Sequence, residues 1–184
     1  YYAGANAYIN PTEMHSFLEA ASPDDILLVQ NEIGGMRELL QLATKLGLRV
    51  CFNPSPAIHD DWRCEEYQCE WLILNEHEFK HICKLYNFPS STTEDQMRAL
   101  KNKLLCNHLI CSFGANGVIG MDRDYQVHSV SAPKVAVVDT VGAGDCLAGY
   151  FAAWIAKGTS FPESLHMATK AASLKVTRYG AFNG

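Results

Sequence analysis

The chain has 184 residues, 48% of them hydrophobic and 19% charged, with seven cysteines and a net charge of −5. That charge excludes the clustered basic surface of a nucleic-acid-binding domain, and no uninterrupted apolar run approaches the roughly 20 residues of a membrane span. The proportions are those of a single soluble α/β domain with a buried core, and they exclude a disordered chain.

Ile26 to Gln30 reads as a buried strand, followed at once by the acid Glu32. Met36, Leu39, Leu40, Ala43 and Leu46 then fall on one helical face that ends at Gly47. Leu48 to Asn53 is a second strand, Trp71 to Asn75 a third and His108 to Ser112 a fourth, the last preceded by a helix whose capping box is Ser91 with Glu94. Val118 to Asp122 and Tyr125 to Val130 predict a hairpin around Arg123-Asp124. Repeated βαβ units imply parallel strands with helices on both faces, and ligands in such sheets bind outside the carboxyl ends of the strands. Glu32, Asn53, Asn75, Glu78, Gly114 and Gly117 all fall there.

Seven cysteines are an odd number, and most lie inside apolar strands or helices, which predicts reduced packing thiols in a cytoplasmic protein. The spacings Cys64 to Cys69 and Cys106 to Cys111 do not match the paired cysteines of structural zinc sites. His77-Glu78-Phe79-Lys80-His81 does satisfy HExxH, in which two histidines one helical turn apart bind zinc and the acid activates water for peptide hydrolysis. Against that reading, the HExxHxxGxxH extension is missing, the motif starts immediately after a strand, and the third ligand would have to be a poorly placed group such as Glu94. Neither GxxxxGK[ST] nor GxGxxG occurs, so P-loop and Rossmann readings lose their main support.

The most informative segment is Asp139-Thr140-Val141-Gly142-Ala143-Gly144-Asp145, which runs straight into the apolar stretch from Cys146 to Ile155. Small residues opening a helix leave backbone N–H groups at the positive end of the helix dipole, ready for a phosphate or a developing anion. Asp145, in the first turn, stands where it could take a proton from an alcohol while the Gly142, Ala143 and Gly144 amides hold the charge on transferred phosphoryl oxygens. A tight turn with a helix cap is the plain structural alternative.

The segment resembles the DTxGAGD signature of the ribokinase-like (PfkB) carbohydrate kinases. Leu28 to Ile33, Phe52 to Ala57, Leu74 to Glu78, Ser112 to Gly117 and Val176 to Ala181 resemble successive segments of that family in the same order, so almost the whole chain is covered. The resemblance implies a three-layer αβα fold with a mostly parallel sheet. It also implies that residues 1–184 are the C-terminal, nucleotide-binding and catalytic part of a longer kinase, because no sugar-binding N-terminal strand, Gly-Gly-Lys-Gly segment or β-sheet lid is found. Tyr2 to Ala7 would be the strand end and turn that follow the lid-bearing half.

The same resemblance implies ATP-dependent phosphorylation of a sugar, with Asp145 as base and the 142–145 turn as anion hole. The Gln-x-Glu-Ile and Asn-Pro-x-Pro-Ala segments are more similar to ribose-directed members than to adenosine or fructose kinases, which favours D-ribose and its conversion to ribose 5-phosphate. Glu32 and Asp145 would contact the sugar. Asn75 and Glu78 would lie near the nucleotide phosphates, Glu78 reaching Mg²⁺ through water, and Ser112, Gly114, Gly117, Gly144 and Thr169 would line the nucleotide site. Thr169 stands where relatives often place Asn. Asp139 with the carbonyls around Val141, Val176 and Gly180 resembles a K⁺ site. Sugar and ATP are the implied partners, with a homodimer open for the full-length protein and little activity expected of these 184 residues alone. A non-catalytic nucleotide-binding fragment is the alternative from another class.

Overall fold

Each central strand sends its apolar side chains alternately to two sides, and this period-two pattern builds two separate cores. In β2 (Arg49–Asn53) Val50 and Phe52 face one core and Cys51 the other. In β3 (Cys69–Asn75) Leu72 and Leu74 oppose Trp71 and Ile73, and in β4 (Cys106–Ser112) Leu109 and Cys111 oppose Ile110. The computed structural model describes residues 4–55, 68–89 and 92–181. With β1 (Ile26–Gln30), β5 (Val118–Met121) and β6 (Val127–Val130), the strands form one sheet in the order β1-β2-β3-β4-β5-β6. β1 to β4 are parallel, and β5 and β6 close the sheet as an antiparallel hairpin.

The first core is covered by α1 (Pro11–Glu19), α2 (Met36–Lys45), α3 (Glu76–Leu85) and α4 (Thr93–Lys103), which contribute Leu18, Leu40, Ile82 and Met97 among others. The second is covered by α5 (Ala143–Ala156) and α6 (Phe161–Lys175), through Leu147, Phe151, Leu165 and Ala168. The result is the three-layer α/β architecture expected from the sequence. Gly120 on β5 allows α6 to come close, since a Cβ there would stand 2.4 Å from Leu165 Cδ1.

Several local expectations are corrected. Gly4–Tyr8 is a 3₁₀ turn in the segment expected to hold a strand end and turn, of which Tyr2 and Ala3 lie outside the described residues. Leu46 is the C-cap of α2 and is 36% exposed, so it leaves the buried face that Met36, Leu39, Leu40 and Ala43 share. Ser91 lies outside the described residues; α4 is capped by Thr92, whose Oγ1 accepts the Asp95 N–H at 3.2 Å. The hairpin strands are shorter than expected because the Asp122 carboxylate accepts the N–H groups of Asp124 and Gln126, each at 2.9 Å, and closes the tip as an Asx-type turn. Helix α1 went unread: Pro11 at its start and the Asn10 cap mark it, yet Phe17 is 72% exposed and blurs its apolar face.

The thiols are packing groups. The described cysteines are all free; burial pushes Cys51 and Cys106 up to about 12 and Cys83 to about 11. Cys64 lies outside the described residues. His108 is half-buried between Trp71 and Phe161, with ring centroids 5.9 and 4.8 Å away. Burial lowers its pKa from the ordinary 6.5, outweighing the Glu70 carbonyl and carboxylate that act the other way; Arg123 and Asp122 face it as well. The unfolded chain therefore takes up a proton that the folded site resists. Stability from this residue is present in full above that ordinary value and is expected to fall as the pH drops through it. Denaturation midpoints measured across that window should fall less steeply in His108→Gln; equal slopes would remove His108 from the pH dependence.

Candidate active site

Three strand ends hold one acid. Gly142, in the left-handed region at φ 75°, is the N-cap of α5, and a Cβ there would stand 3.1 Å from the Ala181 carbonyl oxygen. This places Asp145 in the first turn of α5, exposed beside the carboxyl end of β1. Gln30, the last residue of β1, donates from Nε2 to Asp145 Oδ1 at 2.6 Å and to Asn53 Oδ1 at 3.0 Å. Asn53 in turn donates from Nδ2 to the Ile73 carbonyl at 2.8 Å. Both Gln30 amide hydrogens are thus engaged, and the orientation of Asp145 is tied through β1 and β2 to β3. Sequence reasoning left the role of Asn53 open and missed Gln30. The available signal was an amide side chain ending an otherwise apolar strand.

At the next strand end, Asn75 and Glu78 form a reciprocal capping box. Asn75 Oδ1 accepts the Glu78 N–H and Glu78 Oε2 accepts the Asn75 N–H, both at 2.9 Å. Glu78 is 7% exposed, and burial raises its pKa against the opposing hydrogen bonds from Asn75 and the Ser55 hydroxyl. The HExxH acid is therefore fixed as a helix cap, and His77 is exposed. Among the described residues no three His, Cys, Asp or Glu side chains are grouped to hold a metal.

Beside α5 lies a cleft of about 390 Å³, mainly apolar, that brings together Ser112, Gly114, Gly117, Gly144 and Thr169. Glu32, Asn75, Glu78, Asp139 and Asp145 do not line it. Glu32 is exposed in the turn that follows β1. The Thr169 hydroxyl is turned into its own helix, donating to the Leu165 carbonyl at 2.7 Å, which leaves no hydroxyl proton for a bound base. The 132–137 segment, which sequence reasoning did not single out, supplies a wall through Val135 and Val137. Its signal was the apolar run Val135 to Val138 directly before Asp139.

The residues expected to hold K⁺ do converge, but the oxygens of Asp139, Val141 and Val176 are engaged. The Asp139 carboxylate accepts the Val141 N–H at 3.0 Å and the Gly180 N–H at 2.9 Å, and these bonds hold its pKa below the usual value. The Val176 carbonyl accepts the N–H groups of Val138 and Asp139 at 2.8 and 3.1 Å. Lys175 Nζ donates to the Asp139 carbonyl at 3.3 Å and also to the Val141 carbonyl. In this arrangement the set does not fit a separate cation. The Ala143 N–H closes a turn on the Thr140 carbonyl at 3.1 Å, so of the three anion-hole amides it is already committed here.

Comparison with known proteins identifies the family to which this fold belongs. The description "pfkB family carbohydrate kinase" matches residues 1–184, and the chain belongs to that family. It is 32% identical over 184 residues to a ribokinase of Schizosaccharomyces pombe, covering 97% of this chain and 57% of that protein. It is 28% identical to a deoxyribokinase of Salmonella typhimurium, covering 96% and 58%. The structure of Arabidopsis thaliana ribokinase complexed with ribose and ATP superposes with a TM-score of 0.77 at 25% identity, covering 98% of this chain and 59% of that one. The chain thus spans a little over half the length of these relatives. Among the described residues no helix is long and apolar enough to cross a membrane.

Proposed function

We propose that these residues form the nucleotide-binding and catalytic part of a cytoplasmic sugar kinase that transfers the γ-phosphoryl group of ATP to the O5 hydroxyl of D-ribose. The observation that carries this reading is Asp145, oriented by Gln30 at the head of α5 and adjoining the cleft through Gly144. Asp145 takes the hydroxyl proton as the sugar oxygen attacks in line. The Gly142 and Gly144 amides, at the positive end of α5, face the charge that builds on the transferred group, while the Ala143 amide holds the turn. The cleft holds the base and ribose of the nucleotide between the Ser112–Gly117 loop, the 132–137 wall and the α6 face that carries Thr169. Glu32 hydrogen-bonds a sugar hydroxyl.

Mg²⁺ travelling with ATP would supply charge neutralisation at the phosphates. Asn75 and Glu78 suit its hydration shell, because a carboxylate whose ionised form burial disfavours is stabilised by a cation in front of it. A ribokinase and a deoxyribokinase among the relatives leave ribose and 2-deoxyribose as the two acceptors to compare.

An ADP-release assay with each sugar tests the reading. The full-length protein should turn over at about 1 per second or faster with ribose, the usual lower range for kinases. The 184 residues alone should bind ATP weakly without measurable turnover, since only Glu32 and Asp145 are assigned to the sugar here. ATP binding by the full-length protein with no sugar-dependent ADP release would favour a non-catalytic nucleotide-binding role instead.

A further inference from the structure

Lys175 is the last residue of α6, and its side chain does not end in solvent. Its ammonium donates to the main-chain carbonyls of Asp139 and Val141, which lie on either side of Thr140 at the entry to the glycine turn. The other bonds of this loop come from a different source. The Asp139 carboxylate fastens the Val141 and Gly180 amides, and the Val176 carbonyl fastens Val138 and Asp139. The Asp139 and Val141 carbonyls, by contrast, accept from the charged Lys175 ammonium.

We propose that the Lys175 ammonium is a built-in monovalent cation, tethered where a free K⁺ would otherwise bridge the Asp139 and Val141 carbonyls. It is a positioning residue: it holds the backbone on which Gly142 and the α5 N-terminus are set and does not touch the transferred group. An ammonium is close to K⁺ in charge and size, and it donates hydrogen bonds to carbonyl oxygens much as the ion would accept their lone pairs. Tethering it through the α6 backbone removes the need to recruit an ion from solution. The consequence is an enzyme indifferent to the monovalent salt, in contrast to the K⁺ dependence that the loop residues alone would imply. This inference rests on the kinase reading for its kinetic arm only.

The test compares KCl with NaCl at about 0.1 M, equal ionic strength so that screening is constant, in the full-length protein and two variants. Lys175→Ala leaves room for an ion, and Lys175→Met keeps the stem but not the charge. The wild type should show the same melting temperature and the same turnover in both salts, within twofold. Lys175→Ala in NaCl should lose about 10- to 100-fold in kcat through a displaced loop, and KCl or NH₄Cl should restore most of it and raise the melting temperature. Lys175→Met should lose as much and regain nothing. A melting temperature or turnover of the wild type that rises several-fold or by several degrees with K⁺ over Na⁺ would overturn the proposal, as would a Lys175→Ala variant indifferent to both salts. If neither variant folds, the wild-type comparison still decides. If no sugar is phosphorylated, the melting curves test the cation role separately, so failure of the kinase reading and failure of this one are distinguishable.

Discussion

Replacing Asp145 by Asn in the full-length protein is expected to lower kcat about 10²- to 10⁴-fold, the span for loss of a general base, while ATP affinity stays nearly unchanged. The substitution is informative because it preserves the geometry. Gln30 Nε2 donates to Oδ1 of Asp145, and an Asn side chain presents the same carbonyl oxygen in the same place. The helix start is equally undisturbed, since Gly142 and not Asp145 is the N-cap of α5. What is lost is the capacity to accept the hydroxyl proton. Gln30→Leu makes the complementary change: the base survives but its tether to β1 and β2 is cut, and Asn53 loses a donor as well. A loss of about 10- to 100-fold in kcat is expected there, the scale of a base displaced by a fraction of a bond length to about 1 Å. Near-normal kcat in Asp145→Asn would refute the assignment, and a Gln30→Leu variant that changed only stability would reduce Gln30 to a packing role.

Legibility in the sequence followed the range of the forces involved. The strand from Trp71 to Asn75 was readable because both faces of a central parallel strand are covered, which demands a continuous apolar run. Ile26 to Gln30 has such a run too, although Leu28 is exposed and only Val29 is buried there, short of the buried strand expected. The glycine turn and its acid were readable because Gly142 is fixed by a local backbone requirement, a positive φ at a helix start. What escaped was long-range. Gln30 and Asp145 are far apart in the chain, and nothing near either residue announces the bond between them. Lys175 escaped for the same reason: a lysine in the last turn of a helix is an ordinary partner for the helix dipole, and only the packing of α6 under the 139–141 loop turns it inward. Glu78 was singled out as a candidate site residue, but its engagement in a capping box with Asn75 was not read, although the Asn-x-x-Glu spacing carried that signal locally.

Gly117 is the position where the smallest substitution should do the most structural harm. It sits at φ 92° and ψ −145°, a conformation that side-chain-bearing residues rarely adopt. An added Cβ would stand 2.0 Å from the Val130 carbonyl oxygen and 2.8 Å from the Ala132 nitrogen, both backbone atoms that cannot rotate away. The neighbouring pairing fixes the consequence. Val118 faces Val130 across the β5–β6 ladder, and the Gly117 carbonyl accepts the Phe113 N–H at 2.8 Å, so relief requires the exit of β6 to move outward. That exit leads directly into the 132–137 wall of the cleft. Gly117→Ala is therefore expected to cost about 2 to 6 kcal/mol, a strained φ plus a backbone overlap, and to weaken ATP binding at the same time. Gly114 is the control on the same loop: its φ is 55°, yet nothing lies within 4 Å of an added Cβ, so Gly114→Ala should cost only about 1 to 2 kcal/mol. Urea midpoints and ATP titrations on the two variants check the contrast. Equal losses at both positions would mean that the wall is not held by the close approach of Gly117 to β6, and that the cleft takes its shape from elsewhere in the fold.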